Sequence, residues 1–150
     1  MNLKQETKKI DNLLLSLNKS IMKKTKDQLV DYGLTLPRFH LLWKIGELQP
    51  INMSQLHEKL YIQNSTLTVL VDGLVEDTFV KRYRNPEDRR VVLLEITEEG
   101  KKCLQDILEI RQMFLQQGLD HLHPEEQKQL ISLLTPVSKK VEGELKKDLV

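Results

Sequence analysis

Residues 80–97 constrain the fold most, because this stretch carries two runs of strand-forming residues in a chain whose apolar residues elsewhere follow helical spacing. The runs Val80–Arg84 and Val91–Ile96 predict two strands. The four residues between them contain Pro86, which presets the second position of a turn, and Asn85, whose side chain can bond the backbone at the first. The sequence therefore predicts a β-hairpin.

This hairpin is strongly basic. Between Lys81 and Arg90 there are five basic and two acidic residues, whereas the whole chain has a net charge of +1. A two-stranded ribbon with arginines at its tip fits the minor groove of DNA, where the negative potential attracts guanidinium groups. The alternative is an ordinary solvated hairpin, because runs of charge are usually soluble surfaces.

The composition is that of a soluble globular domain. The chain has 150 residues, of which 39% are hydrophobic and 30% are charged, and aromatic residues make up only 5%, so aliphatic side chains must build the core. No apolar run approaches the ~18 residues of a membrane span. The N-terminal stretch lacks a secretory apolar core, and one cysteine cannot form an internal disulfide. We therefore expect a cytoplasmic protein without membrane contact.

Four helices are predicted before the hairpin. Apolar spacing indicates a first helix over roughly Leu3 to Val30, which is longer than an ordinary globular helix. Gly33 marks its end. A second helix begins near Thr35, which can cap it, and stops before Pro50. The third and fourth helices are expected over Asn52–Leu60 and Asn64–Asp77.

The third and fourth helices together resemble a helix-turn-helix, because they are short, tightly connected, and the second has a small, polar free face. An ordinary helical hairpin is the alternative. The predicted buried stripe of the fourth helix is Leu67, Leu70, Val71, Leu74 and Val75. Its predicted free side carries Asn64, Ser65, Thr66, Thr68, Val69, Asp72 and Gly73.

Two further helices follow the hairpin. The fifth is predicted from Thr97 to roughly Leu119, and the sixth from roughly Glu125 to Leu145. Pro136 should kink or split the sixth helix. The apolar stripes of the first, fifth and sixth helices are too large for one small lobe, which implies a two-fold dimer.

The order of these elements predicts a mainly α-helical winged helix-turn-helix fold with a two-stranded β-wing. We expect a single domain over residues 1–150. Within it, residues 35–97 form the winged lobe, while residues 1–31 and 100–150 form dimerisation helices.

The chain resembles the MarR family of bacterial transcriptional regulators over nearly its whole length. The resemblance rests on Leu36-Pro37-Arg38-Phe39 with Leu42-Trp43, on Met53-Ser54-Gln55-Leu56, on Ser65-Thr66-Leu67-Thr68 through Leu74, and most strongly on Asp88-Arg89-Arg90 and Leu94-Glu95-Ile96-Thr97-Glu98-Glu99-Gly100. It implies a homodimer on double-stranded DNA, with helix four in the major groove and the wing in the neighbouring minor groove.

The resemblance also implies roles for the wing residues. Arg90 would reach the minor groove, and Asp88 would hold it in place by a bidentate bond. The remaining wing cations would contact phosphates; these are Lys81, Arg82, Arg84 and Arg89.

Helix four departs from the family, whose members often carry basic residues at the positions of Val69 and Gly73. This chain has no Lys or Arg between Leu60 and Val80. Major-groove recognition would therefore rely on uncharged residues of helix four and its start, namely Gln63, Asn64, Ser65, Thr66, Thr68 and Val69.

The family usually responds to a small apolar or phenolic effector. The resemblance places such an effector in a cleft near Ile10, Leu14, His40 and Trp43. The alternative is that these residues belong to the core. No cofactor is expected.

Neither metal binding nor redox sensing has a clear sequence signal. The four histidines and the cysteine lack tight zinc spacing, so no metal site is expected. Cys103 is interpreted as an inert buried thiol, with a role in sensing oxidants as the alternative.

The predicted function is that of a sequence-specific DNA-binding transcriptional regulator, a ligand-responsive repressor. An enzyme is not expected, because the sequence has no glycine-rich phosphate loop, metalloprotease pair or nucleophile elbow. The alternative is a winged-helix module that docks on other proteins and binds DNA weakly or without specificity. The basic wing argues against this alternative, whereas the acidic residues of helix four argue for it.

Overall fold

The computed structural model describes residues 4–148, and within them it has six helices and a small antiparallel sheet. This is the mainly α winged helix-turn-helix fold that the sequence predicts. The elements are α1 (Gln5–Asp31), α2 (Leu36–Leu48), β1 (Ile51–Asn52), α3 (Met53–Leu60), α4 (Asn64–Glu76), β2 (Val80–Arg84), β3 (Val92–Ile96), α5 (Glu98–Leu119) and α6 (Pro124–Lys147).

The first helix begins at Gln5, and the predicted start at Leu3 lies outside the described residues. At its other end Gly33 adopts a left-handed conformation with φ of 66°, as a glycine can without a steric penalty. The N–H of Leu34 donates to the carbonyl of Leu29 at 2.8 Å, and the N–H of Gly33 donates to that of Val30 at 2.9 Å. This is a Schellman ending, so the predicted stop at Gly33 is confirmed.

Side chains cap the starts of α2 and α3. The hydroxyl oxygen of Thr35 accepts from the N–H of Arg38 at 3.4 Å. The side chain of Asn52 accepts from the N–H of Gln55 at 2.8 Å, and the side chain of Gln55 accepts in return from the N–H of Asn52 at 3.1 Å. Both predicted caps are confirmed, and they satisfy N–H groups that a helix start leaves unpaired.

The sheet has the order β1-β3-β2, with both neighbouring pairs antiparallel. The hairpin turns as predicted, because the side chain of Asn85 accepts from the N–H of Glu87 at 3.0 Å. Strand β3 starts one residue later than predicted, at Val92. Strand β1 was not predicted, since two residues are too few to show an alternating pattern.

The core lies between α2, α3, α4, the sheet and the first half of α5. Its fully buried side chains include Leu42, Ile45, Leu56, Leu67, Val71, Leu74, Leu94 and Ile107. In α4, Leu70 and Val75 are only partly buried. Gly73, predicted on the free side, is buried because the side chain of Arg38 covers it.

Helix α1 is joined to α5 near the lobe. The hydroxyl of Tyr32 donates to the carboxylate of Asp106, and the Tyr32 ring meets that of Phe79 edge-on at 6.3 Å. The bond to Asp106, followed by desolvation, raises the pKa of Tyr32 to about 12. The α1 C-terminus is therefore attached to the winged lobe.

The apolar side chains of α6 and of much of α1 are not covered within the described part of the chain. Helix α6 has no buried residue, and its apolar side chains are exposed, as are those in the first half of α1. These exposed residues include Ile10, Leu13, Leu14, Leu17, Ile131, Leu134 and Val141. No helix among residues 4–148 is long and apolar enough to cross a membrane.

Helix α6 runs unbroken through Pro136, so of the two predicted effects of this proline, a kink or a split, the split is wrong. The proline removes one N–H donor, and the carbonyl left without it belongs to Ser132. Ser132 is exposed, so water can satisfy that carbonyl. The helix starts at Pro124, one residue before the predicted start, where proline is favoured.

Gly100→Ala should destabilise the fold, because an added Cβ would overlap the backbone carbonyl oxygen of Phe79. Overpacking of this kind costs about 1–3 kcal/mol. The control is Gly118→Ala in the same helix, where nothing lies within 4 Å of the added Cβ. Alanine there should stabilise by roughly 0.5–1 kcal/mol. Urea unfolding measures both, and a Gly100→Ala variant as stable as the original chain would contradict the argument.

Candidate nucleic-acid interface

The tip of the wing presents one oriented arginine. Arg90 donates through Nε to Oδ1 of Asp88 at 3.0 Å and through Nη2 to Oδ2 at 3.3 Å. The backbone N–H of Arg90 also donates to Oδ1 at 3.1 Å. These bonds lower the pKa of Asp88, which keeps the carboxylate charged. The Arg90 side chain is nevertheless 91% exposed, so its guanidinium is held in place yet open to a ligand.

Three of the other four wing cations bind neighbouring groups. Lys81 forms an ion pair with Glu95 at 3.3 Å, and Arg84 donates to the backbone carbonyl of Arg89 at 2.9 Å. Arg82 pairs with Asp72 of α4. All the predicted wing cations thus lie on one exposed ribbon.

The predicted recognition residues of α4 lie on its exposed surface. Gln63 stands at the N-cap, and the side chain of Val69 is among the most exposed apolar groups of the protein at 66%. The hydroxyl of Thr68 donates to the carbonyl of Asn64 at 2.9 Å. Asn64, Ser65 and Thr66 are likewise exposed. This surface offers neutral donors and acceptors, as readout of base edges requires.

Two acidic residues at α4 are already paired, which the sequence did not indicate. Asp72 binds Arg82 of β2, and Asp77, just after the helix, accepts from Nη1 of Arg38 of α2 at 3.2 Å. These carboxylates are therefore not free to repel a phosphate backbone. The sequence analysis missed the contact between Arg38 and α4. Gly73 is the signal that could have indicated it, because glycine is unfavourable inside a helix and leaves room for a side chain from elsewhere.

The predicted effector cleft is only partly assembled within one chain. His40 and Trp43 line a largely apolar cavity of about 450 Å³ between α2 and the end of α3, whereas Ile10 and Leu14 are exposed on α1 and do not line it. Desolvation, and secondly the charge of Arg111, lowers the pKa of His40. The cavity wall therefore carries a neutral imidazole at neutral pH.

Cys103 is fully buried. Its burial, and secondly the charge of Asp106, raises the pKa of the thiol to about 12. Because the thiolate is the reactive form, this setting favours the interpretation of an inert thiol. Within residues 4–148, no three His, Cys, Asp or Glu side chains are placed to hold a metal ion.

These elements define a class of protein. Helices α2, α3 and α4, followed by the β2–β3 hairpin with an arginine at its tip, form the winged helix-turn-helix of DNA-binding proteins.

Comparison with known proteins identifies the family. The MarR family profile matches residues 34–92. The HTH-type transcriptional regulator YsmB of Bacillus subtilis is 31% identical over 117 residues, which cover 78% of this chain and 80% of YsmB. The chain therefore belongs to the MarR family and is a DNA-binding transcriptional regulator.

Solved structures share the fold. A MarR protein from Peptoclostridium difficile superposes with a TM-score of 0.77 at 23% identity, covering 98% of this chain and 96% of that one. A mutant of MepR from S. aureus, bound to an oligodeoxyribonucleotide, has a TM-score of 0.63 at 19% identity, covering 88% of this chain and 97% of that one.

Proposed function

We propose that this chain is a homodimeric, ligand-responsive repressor that reads double-stranded DNA with α4 in the major groove and the wing tip in the adjacent minor groove. The observation that carries the proposal is the forked bond between Asp88 and the exposed guanidinium of Arg90. A fixed arginine loses less rotamer entropy when it enters a groove than a free one would. The MepR neighbour bound to an oligodeoxyribonucleotide supports this use of the fold.

The chemistry of α4 and of the wing suits them to different contacts with DNA. The polar residues of α4, from Gln63 to Thr68, bring hydrogen-bonding groups to base edges but no positive charge. Arg84 and Arg89 of the wing supply charge for phosphates, together with Lys81. Affinity should therefore depend strongly on the wing, and sequence preference on α4.

Dimerisation supplies the second DNA-binding lobe. The exposed apolar residues of α1 and α6 need a partner, and a second copy related by a two-fold axis would bury them. Two lobes would then face half-sites about one helical turn, or ~34 Å, apart. Residues 1–31 and 100–150 are accordingly proposed as the dimerisation region, and residues 35–97 as the lobe of one single-domain chain.

The cavity beside His40 and Trp43 is the proposed place for a small apolar or phenolic effector. Ile10 and Leu14 of α1 do not line this cavity within one chain. They would complete its wall if dimerisation packs α1 against it. Binding there would change the spacing of the lobes and so release the DNA. As a regulator acting on a bacterial chromosome, the protein would work in the cytoplasm and catalyse no reaction.

Arg90→Ala should weaken binding to a cognate DNA site by about 1–3 kcal/mol, because it removes one charged group from the groove. Folding should be unaffected, since the side chain is 91% exposed. Asp88→Ala should weaken binding less, because it only releases the arginine. The matched control is Lys101→Ala, which removes another exposed cation with a local carboxylate partner, Glu98. Fluorescence anisotropy with labelled DNA gives the affinities, and unchanged binding by Arg90→Ala would exclude the wing from recognition.

The chain should have no stable folded monomer at micromolar concentration, because α6 buries none of its apolar residues alone. Sedimentation equilibrium should show a dimer, and the midpoint of thermal unfolding should rise with protein concentration. A folded monomer under these conditions would show that the exposed stripes need no partner.

Val69→Arg should tighten binding to most DNA, because the exposed position can reach a phosphate. The slope of log affinity against log salt should steepen by about one unit for each phosphate newly neutralised. Val69→Gln is the control, since it makes the site polar without adding charge. If Val69→Arg folds but neither affinity nor slope changes, α4 does not approach the DNA backbone. The family assignment does not favour a protein-docking module, but that result would revive it.

A further inference from the structure

Helix α4 has a notch at Gly73 that holds a side chain from another helix. A Cβ added at Gly73 would lie 2.5 Å from Nη2 of Arg38, 2.6 Å from its Cζ and 2.8 Å from its Nε. The guanidinium group of Arg38 therefore lies against the helix backbone, in a place that only glycine leaves open. This explains why a residue that weakens helices stands inside α4.

The notch lies on the flank of the exposed face of α4. Gly73 follows Val69 by four residues and precedes Asp77 by four, so the three share one side of the helix. Val69 is 66% exposed. On the opposite flank of the same face, Asp72 binds Arg82 of the wing. Two guanidinium groups from outside the helix thus border the surface that carries the predicted recognition residues.

Arg38, like the arginine of the wing tip, donates to an aspartate, although through one bond and not through a fork. Its Nη1 donates to Oδ2 of Asp77 at 3.2 Å, while 30% of its side chain remains exposed. A guanidinium group has five N–H donors, so one bond to a carboxylate leaves others for a second acceptor. Asp88 orients Arg90 by the same chemistry.

We propose that Arg38 of α2 binds a DNA phosphate, admitted by the notch at Gly73 and oriented by Asp77. The inference rests on the proposed binding of α4 to the major groove. It accounts for the absence of Lys and Arg from residues 64–76, because α2 and β2 place arginines on the two flanks of that helix. Roughly half or more of the hydrogen bonds between proteins and DNA go to phosphate or sugar, and arginine is one of the main donors.

Arg38→Ala should weaken binding to a mixed-sequence DNA duplex on the order of tenfold, and lower the salt slope by about 0.9 for each phosphate that is no longer neutralised. Because a dimer carries two copies of Arg38, its salt slope should fall by nearly two units. Lys101→Ala is the control and should change neither quantity. If Arg38→Ala fails to fold, Arg38→Gln keeps a hydrogen bond donor for Asp77 but removes the charge, and its slope should fall equally.

A double-mutant cycle with Gly73→Ala separates DNA binding from packing. The added methyl group displaces only the end of a flexible side chain, so the midpoint of thermal unfolding should not fall. Gly73→Ala should weaken DNA binding in the original chain, because it moves the guanidinium group. In an Arg38→Ala background it should have no further effect.

The outcomes distinguish this inference from the proposed function. If Arg90→Ala lowers affinity while Arg38→Ala leaves affinity and salt slope unchanged, Arg38 only links α2 to α4 and the inference is wrong. Additive effects in the cycle would also contradict it, since the notch would then act independently of Arg38. If neither arginine matters, the proposed DNA-binding mode itself fails.

Discussion

Burial of the α4 stripe is the constraint on which the remaining structure depends. Leu67, Val71 and Leu74 are fully buried, and burying each such side chain contributes about 1.5–3 kcal/mol. They pack into the same core as Leu42 of α2 and Leu94 of β3. Because the stripe faces inward, the polar residues between its members must face outward. The same packing attaches β3, and with it the wing, to a fixed position relative to α4.

Three Asp–Arg pairs order the charged groups on this framework: Asp72 with Arg82, Asp77 with Arg38, and Asp88 with Arg90. Exposed ion pairs contribute little to stability, typically about 0–1 kcal/mol. Their importance here lies in orientation, because each aspartate limits the rotamers of a long side chain. The two pairs at α4 also neutralise carboxylates that would otherwise oppose a polyanion. The paired carboxylates Asp72 and Asp77 are therefore compatible with the proposed binding of α4 to DNA.

The winged lobe and the long helices differ in how far their apolar side chains are buried. The lobe has a closed core, whereas α6 and the first half of α1 expose apolar side chains along their length. The cavity beside His40 lies in the lobe, between α2 and the end of α3. The charge of Arg111, which lies on α5, also contributes to lowering the pKa of His40. A signal that changes how the long helices pack would therefore act close to the site where an effector is proposed to bind.

Local sequence determined most of the elements of this protein. The caps at Thr35 and Asn52, the left-handed stop at Gly33 and the turn at Asn85 each depend on side chains within a few residues, so they could be predicted. The periodic stripe of α4 and the fork between Asp88 and Arg90 are local for the same reason.

Only the tertiary structure decided the features that join residues distant in sequence. Strand β1 is too short to predict and exists because β3 pairs with it. Arg38 reaches Gly73 and Asp77 across more than thirty residues, a relation that no spacing rule indicates. The continuity of α6 through Pro136 depends on solvent exposure, and the separation of Ile10 and Leu14 from the cavity depends on the path of α1. Local chemistry dictates elements, whereas packing dictates which distant side chains meet.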